Sequence, residues 1–410
     1  MNTFQVQLNR YADLILQVGL NLQKGQRLII NAPISASSFV QEITRKAYDL
    51  GAKNVIVDYD DEQLRKIKIE KAPEEGLKDF PQWKAKGYLE MAKENMALLN
   101  LAAPNPELFQ DSDPSRVALV NKTAGEAMVD FRQFISGGRI NWLIAAIPTK
   151  EWAKTIFPEL KNDDAVSKLW EQIFYTTRVD QENPVALWKE HISLMNMKAN
   201  YLNNKKYKTL HYKGPGTDLT IDIHTQTKWM CAEFINDQEV HFVPNLPTEE
   251  VFTIPIKTGV NGTVSSTKPL NYGGNLIQNF SLTFKEGKVV DFRAEQGYEV
   301  LKNLLNTDDG ASYLGEVALV PHDSPISNTG IVFNNTLFDE NASCHIALGN
   351  ALKICVEEGK NMTKEELEII GYNDSITHVD FMIGSGELDI DGERIDGTKE
   401  PIFRKGNWAF

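Results

Sequence analysis

The sequence predicts an α/β N-terminal domain with a mainly parallel sheet, followed by a β-rich α+β C-terminal domain. Three observations carry that expectation. The first half alternates helical and buried-strand patterns, the signature of strand–helix–strand units. From about Tyr207 the texture changes to alternating Thr- and Val-rich strands with Gly turns. The chain's 410 residues also exceed the roughly 100–200 that one domain usually holds. The expected division is residues 1–200 as a scaffold domain and 201–410 as the domain that carries the chemistry.

Between Phe4 and Gln23, apolar residues at Leu8, Tyr11, Ala12, Ile15 and Val18 form a helical stripe. Lys24-Gly25 stops it, and Arg27 to Asn31 reads as a short buried strand. Ser37 to Leu50 is helical, Gly51 takes the usual position after a helix end, and Asn54 to Asp58 is the next strand. Met96–Leu101 and Trp142–Ile147 read as further buried strands, and Pro148-Thr149-Lys150-Glu151 opens a long helix towards Tyr175. In the second half, Asp218–Ile223 and Phe280–Phe284 are strands, the latter followed by the turn Lys285-Glu286-Gly287-Lys288. Asn261-Gly262 reads as a hairpin turn. Gly297–Leu305 and Thr363–Ile370 are helical, and there is no repeat of fixed period.

Composition narrows the function. Forty-three Lys and Arg against fifty-six Asp and Glu give a net charge of −13, which repels nucleic-acid backbones and anionic membrane surfaces. Residues 1–7 lack the charged start and apolar run of a signal peptide, and no apolar stretch nears the ~20 residues a membrane helix needs. Cys231, Cys344 and Cys355 are odd in number and widely spaced, so they form neither a disulfide framework nor a thiolate zinc motif. A cytoplasmic protein is expected, with no nucleic-acid and no membrane partner.

Several chemistries lack their residues. The turn Ala32–Ser38 after the first strand has no glycine fingerprint for phosphate and carries a Pro where a backbone N–H is wanted. Gly384-Ser385-Gly386 has only part of a nucleophile elbow. Cys344 and His345 are neighbours, and on an extended chain neighbours point to opposite faces. Metal chemistry is better served. Six of the seven histidines (His211, His224, His241, His322, His345 and His378) follow residue 210. His378 and Asp380 sit two apart in an apolar strand pattern, so both side chains leave one face and can converge on one ion. Glu250 and Glu316 lie in apolar segments where a carboxylate is costly without a cation or hydrogen bonds. Glu340 lies five residues before His345.

The segments Asn245–Thr253, Gly315–Val320, Glu340–Gly349, His378–Gly384, Asp389–Gly392 and Gly406–Ala409 together resemble, in order, the thermophilic-type metalloaminopeptidases of peptidase family M29. The resemblance spans nearly the whole chain and is densest after residue 245. It implies a two-domain homodimer that removes N-terminal residues from peptides. It also implies two divalent metal ions (Zn, Co or Mn) on Glu250, Glu316, His345, His378 and Asp380. That ligand set fits the chemistry. Three carboxylates and two neutral imidazoles against two divalent cations leave one positive charge, room for a bound hydroxide, whereas a single ion would leave a net negative charge. Glu316 is the expected catalytic carboxylate among the ligands. Glu340 is the expected general base or outer partner. Of Glu249 and Glu250 only one can face the site if the segment is extended, and the resemblance puts Glu250 there. One position departs from the family: Leu352 stands seven residues after His345 where the family carries Tyr. Leu supplies no hydroxyl to an oxyanion, a loss worth about 10²–10³ in turnover. The alternative reading is therefore a metal-binding homologue that is weakly active or silent, and Leu352→Tyr is expected to raise activity.

Overall fold

The structure, a computed structural model, describes residues 3–410 apart from positions 104, 106, 110, 273 and 274. The reading of residues 1–7 therefore falls in part on Met1 and Asn2, outside the described residues. The chain forms two compact units, Met1–His191 with Glu233–Pro247, and Ile192–Ala232 with Thr248–Phe410.

The first unit is built on a five-stranded sheet. β1 (Arg27–Pro33), β2 (Asn54–Asp60), β3 (Ala97–Ala102) and β4 (Trp142–Ala146) are joined by the short strand Asn245–Leu246 in the order Asn245–Leu246, β4, β3, β1, β2. Every pairing in it is parallel, as the strand–helix alternation predicts. Ile29 and Leu98 pack with Tyr88, Met96, Phe131 and Ile140 in one apolar cluster. Two helical expectations are shortened. The first helix ends at Gly19 rather than Gln23, because Asn21 takes a left-handed conformation at φ 45° and the i→i−4 ladder cannot continue through it. The helix expected to run to Tyr175 is two, Lys150–Ile156 and Asn162–Thr176. Pro158 lies between them and cannot donate to a helical ladder.

Among the described residues the second unit holds two large antiparallel sheets and the short antiparallel pair Leu270–Tyr272 with Asn275–Ile277. The larger has eight strands in the order Lys288–Arg293, Ser281–Lys285, Val260–Ser265, Thr217–Asp222, Thr209–Gly214, Asp389–Glu393, Lys399–Arg404 and Asn407–Trp408. Asn261-Gly262 is not a hairpin turn: it lies inside the strand Val260–Ser265. Gly262 is there for space, at φ +115°, where an added Cβ would sit 2.1 Å from the Asp218 carbonyl oxygen of the adjacent strand. The expected helices form as Tyr298–Leu305 and Lys364–Ile369. The second is capped by a reciprocal pair, the Glu366 N–H donating to Thr363 Oγ1 and the Thr363 N–H to Glu366 Oε2.

The larger sheet also carries an ion-pair cluster. Glu393 accepts from Lys208 Nζ at 2.9 Å and pairs with His211 Nε2 at 2.8 Å. Lys208 first, then His211, hold its carboxyl down at about 2 against an ordinary value of 4.5. A carboxyl depressed on folding adds stability above its unfolded value and loses it as pH falls through its folded value. Glu393→Gln is thus expected to lower the thermal midpoint at pH 7, with the gap to wild type narrowing as pH falls from about 4.5 towards 2. Melts across that range test this, and a gap independent of pH would contradict it.

The smaller sheet has five strands: β5 (Met230–Cys231), β6 (Val251–Thr253), β7 (Leu314–Leu319), β8 (His345–Gly349) and β9 (His378–Met382), in the order β9, β8, β7, β6, β5. All its pairings are antiparallel. Every residue of β7 and β8 is buried.

Candidate metal centre

The register of the smaller sheet decides which side chains meet. Directly opposed residues on antiparallel strands share a face, as do residues two apart on one strand. Asp380 faces Ala347, and Ala347 faces Glu316. His345 faces Ala318, which faces Phe252. Stepping two residues along each strand adds His378 to Asp380 and Glu250 to Phe252. All five side chains therefore leave one face of four neighbouring strands.

Glu316 reaches that face only because of a bulge. The pairing shifts between Leu314, opposite Leu348, and Glu316, opposite Ala347, so Gly315 is an extra residue. Unbroken pairing from Leu314 would set Glu316 opposite Ile346, on the other face. Gly315 fits because it lacks a side chain: a Cβ there would lie 2.3 Å from the carbonyl oxygens of both Gly349 and Asn350.

The donors fall into two groups that share one carboxylate. Glu250, Glu316 and His345 form one and Glu316, His378 and Asp380 the other, each with ligand-type atoms within 4.8 Å of one another. The two oxygens of Glu316 divide between them. Oε1 lies 3.9 Å from His345 Nε2 and Oε2 lies 3.2 Å from His378 Nε2. Glu250 Oε2 is 3.2 Å from His345 Nε2, and Asp380 Oδ1 is 3.4 Å from His378 Nε2. The side chains are enclosed, with His345 1% exposed, Glu316 6%, Glu250 12% and Asp380 13%; His378, at 29%, is the most open.

Both imidazoles are oriented by main-chain carbonyls. His345 Nδ1–H donates to Ser343 O at 3.2 Å, and His378 Nδ1–H donates to Asn350 O at 2.7 Å. Each ring therefore turns Nε2 towards carboxylates, where a bare lone pair would face negative oxygens. Such an arrangement calls for positive charge between the groups. The titration directions agree. Burial disfavours the charged His345, yet the hydrogen bond and charge of Glu250 outweigh it and push its value up to about 10. Burial likewise opposes a charged His378, and the charges of Asp380 and Glu316 carry it well above the ordinary imidazole range. Burial raises Glu316, with His378 opposing. Burial also pushes against ionised Asp380, but His378 wins and holds it below the usual range. Asp380 Oδ1 is a buried oxygen with no hydrogen-bond partner among the described residues. Buried carboxylates, lone pairs aimed inward and an unsatisfied carboxylate oxygen fit a divalent cation.

Glu340 opens the short turn Glu340–Ala342. Its Oε1 accepts from Asn341 Nδ2 at 3.3 Å. Burial first, then the charges of Asp380 and Glu250, hold its carboxyl well above the ordinary range. Glu249, the neighbour of Glu250, has its N–H donated to Asn341 Oδ1 at 2.8 Å and belongs to neither donor group. Leu352 is partly buried and precedes the turn Lys353–Cys355. The other C-terminal histidines have partners elsewhere: His211 with Glu393, His241 with Glu233 at 2.9 Å, His224 Nδ1 accepting from the Gln226 N–H, and His322 Nδ1 with Ser327 Oγ at 3.5 Å. Residue types gave no sign of Ser343 and Asn350, which act through carbonyls every residue owns. Gly315 did carry a signal, since a lone glycine in a strand pattern marks a bulge.

A buried carboxylate–imidazole cluster of this kind belongs to metal-dependent enzymes, and comparison with known proteins agrees. A match to the family described as thermophilic metalloprotease (M29) spans residues 4–408. The chain is 51% identical over 410 residues to Aminopeptidase 2 of Geobacillus stearothermophilus, covering 100% of this chain and 99% of that protein. It is 48% identical to Aminopeptidase AmpS of Bacillus subtilis (strain 168), covering 100% of each. The solved structure of wild-type AmpT from Thermus thermophilus matches with a TM-score of 0.94 at 41% identity, over 99% of this chain and 100% of that one. The chain belongs to the M29 thermophilic metalloprotease family. Relatives that carry an aminopeptidase name across their full length do not favour the silent reading drawn from Leu352.

Proposed function

We propose that the protein is a cytoplasmic, homodimeric aminopeptidase that removes N-terminal residues from peptides, with two divalent ions held by Glu250, Glu316, His345, His378 and Asp380. It is a metallopeptidase, a hydrolase acting on peptide bonds. The observation that carries the two-ion reading is the division of Glu316: its two oxygens face two different imidazoles, each with a carboxylate of its own. Carboxylate and imidazole donors suit Zn, Co or Mn. When bound, such a pair of ions activates a water as nucleophile and polarises the scissile carbonyl.

The chain's own groups have distinct tasks in this reading. Glu316 bridges and fixes the separation of the two donor sets. His345 and His378 present Nε2 to the ions because Nδ1 of each is committed to the Ser343 or Asn350 carbonyl, and a bound ion would take the place of the Nε2 proton that the neighbouring carboxylates otherwise favour. Glu340 would take a proton from the attacking water and return it to the leaving amine, a role supported by its place within the field of Asp380, Glu250 and Glu316 but outside the donor set. With the ions held, the centre would accept the neutral α-amine of a peptide's first residue through its lone pair, which would confine cleavage to the N-terminus. Residues 1–200 serve as scaffold and 201–410 as the catalytic region. The homodimer follows the family resemblance. The cytoplasmic setting is supported by three buried cysteines that form no disulfide among the described residues. Among the described residues no helix is long and apolar enough to cross a membrane.

A panel of aminoacyl anilides, turned over with and without chelator, tests the reading. Release that chelator abolishes and Zn, Co or Mn restores is expected. Release indifferent to chelator, or none from fully metal-loaded protein, would refute it.

A further inference from the structure

His378 owes its orientation to one acceptor, the Asn350 carbonyl, so whatever fixes that carbonyl fixes the ring. Three consecutive peptide groups run through this corner, and residues 372–373 hold each of them. In the first, Gly349–Asn350, the Gly349 carbonyl accepts from Asn373 Nδ2 at 2.6 Å and the Asn350 N–H donates to Thr377 O at 2.6 Å. The second, Asn350–Ala351, carries the carbonyl that accepts from His378 Nδ1 at 2.7 Å, and its Ala351 N–H donates to the Asn373 main-chain carbonyl at 2.8 Å. In the third, the Ala351 carbonyl accepts from the Tyr372 hydroxyl.

Asn373 is wholly buried. Its amide nitrogen also donates to Gly310 O at 2.9 Å and lies 3.4 Å from Tyr313 O, while its Oδ1 has no hydrogen-bond partner among the described residues. The pocket around it therefore asks for a donor: three main-chain carbonyls converge on one NH₂ group, and nothing rewards the oxygen. A carboxylate of the same shape would set negative charge against those carbonyls.

We propose that Asn373 is a positioning residue for the metal centre: it holds two successive peptide groups so that the Asn350 carbonyl takes the His378 Nδ1 proton and turns Nε2 inward, with the Tyr372 hydroxyl bracing the next. The inference rests on the two-ion reading above and extends it to residues outside the donor set. Partners that orient a metal-bound histidine typically govern affinity by about 10–100-fold.

The test compares retention of metal by holoenzymes. Wild type, Asn373→Asp, Asn373→Ala and Tyr372→Phe are loaded with Co²⁺ and challenged with graded chelator, while the visible cobalt spectrum is recorded. Asn141→Ala, removing a wholly buried asparagine of the other unit that donates to Leu20 O, controls for general loss of stability. Both Asn373 variants are expected to release metal at about 10–100-fold less chelator with a changed cobalt spectrum, Tyr372→Phe to shift less in the same direction, and Asn141→Ala to lower the thermal midpoint alone. Folded Asn373 variants with wild-type retention and spectrum would overturn the proposal, as would an equal loss of retention in Asn141→Ala. If the Asn373 variants do not fold, unchanged retention in Tyr372→Phe overturns it. Wild-type enzyme that holds no ions defeats the two-ion reading and this proposal together, whereas wild type holding two while the variants behave alike defeats this proposal alone.

Discussion

Replacing Glu316 with Gln is expected to empty both ion positions, because one side chain serves both donor groups. Glu250→Gln or Asp380→Asn should weaken chiefly the group to which each belongs. The shared carboxylate contributes Oε1 to the neighbourhood of His345 and Oε2 to that of His378. An amide offers one neutral oxygen and an NH₂ that would point a donor at a cation. The expected outcome is loss of both ions after dialysis and a fall in turnover exceeding the ~10–100-fold that removal of an outer partner costs. Metal analysis beside anilide turnover reads both quantities. Retention of two ions per chain by Glu316→Gln would rule out the bridging role.

Glu340→Gln should separate chemistry from metal binding. Glu340 is in neither donor group, yet the charges of Asp380 and Glu250 act on it and burial keeps its proton affinity high. Both ions should therefore stay, KM should change little, and kcat should fall by about 10²–10⁴, the span of a lost general acid–base group. The pH dependence supplies the sign. A base must be ionised to accept a proton, so wild-type kcat rises with pH as Glu340 ionises, and in Glu340→Gln that rising limb disappears. Near-normal turnover with full metal content would remove Glu340 from the reaction.

How far the centre could be read from the sequence depends on how local each cue is. His378 and Asp380 lie two apart on one strand, so their convergence needs only the two-residue period. Glu316 stood out as a charge in an apolar run, but its direction depends on the bulge at Gly315, which a regular alternation puts on the wrong side. Choosing between Glu249 and Glu250 requires the pairing of β6 with β7, information held in strands far apart along the chain. The carbonyls of Ser343 and Asn350 left no mark in residue type at all. The fold follows the same rule. The parallel sheet was legible because each strand–helix pair is contiguous, whereas the joining of Asn245–Leu246 to β4 crosses about a hundred residues with no periodic cue. Asn261-Gly262 misled because a turn dipeptide can equally answer a crowded neighbour, here the Asp218 carbonyl.

The extra residue in β7 also bears on how this enzyme tolerates inheritance. Deleting codon 315 would leave every acidic and imidazole side chain encoded yet rotate the common anchor into the opposite layer, and any larger amino acid there would strike two carbonyl oxygens. A single glycine, bearing no chemistry of its own, is as hard to exchange as the ligands it serves.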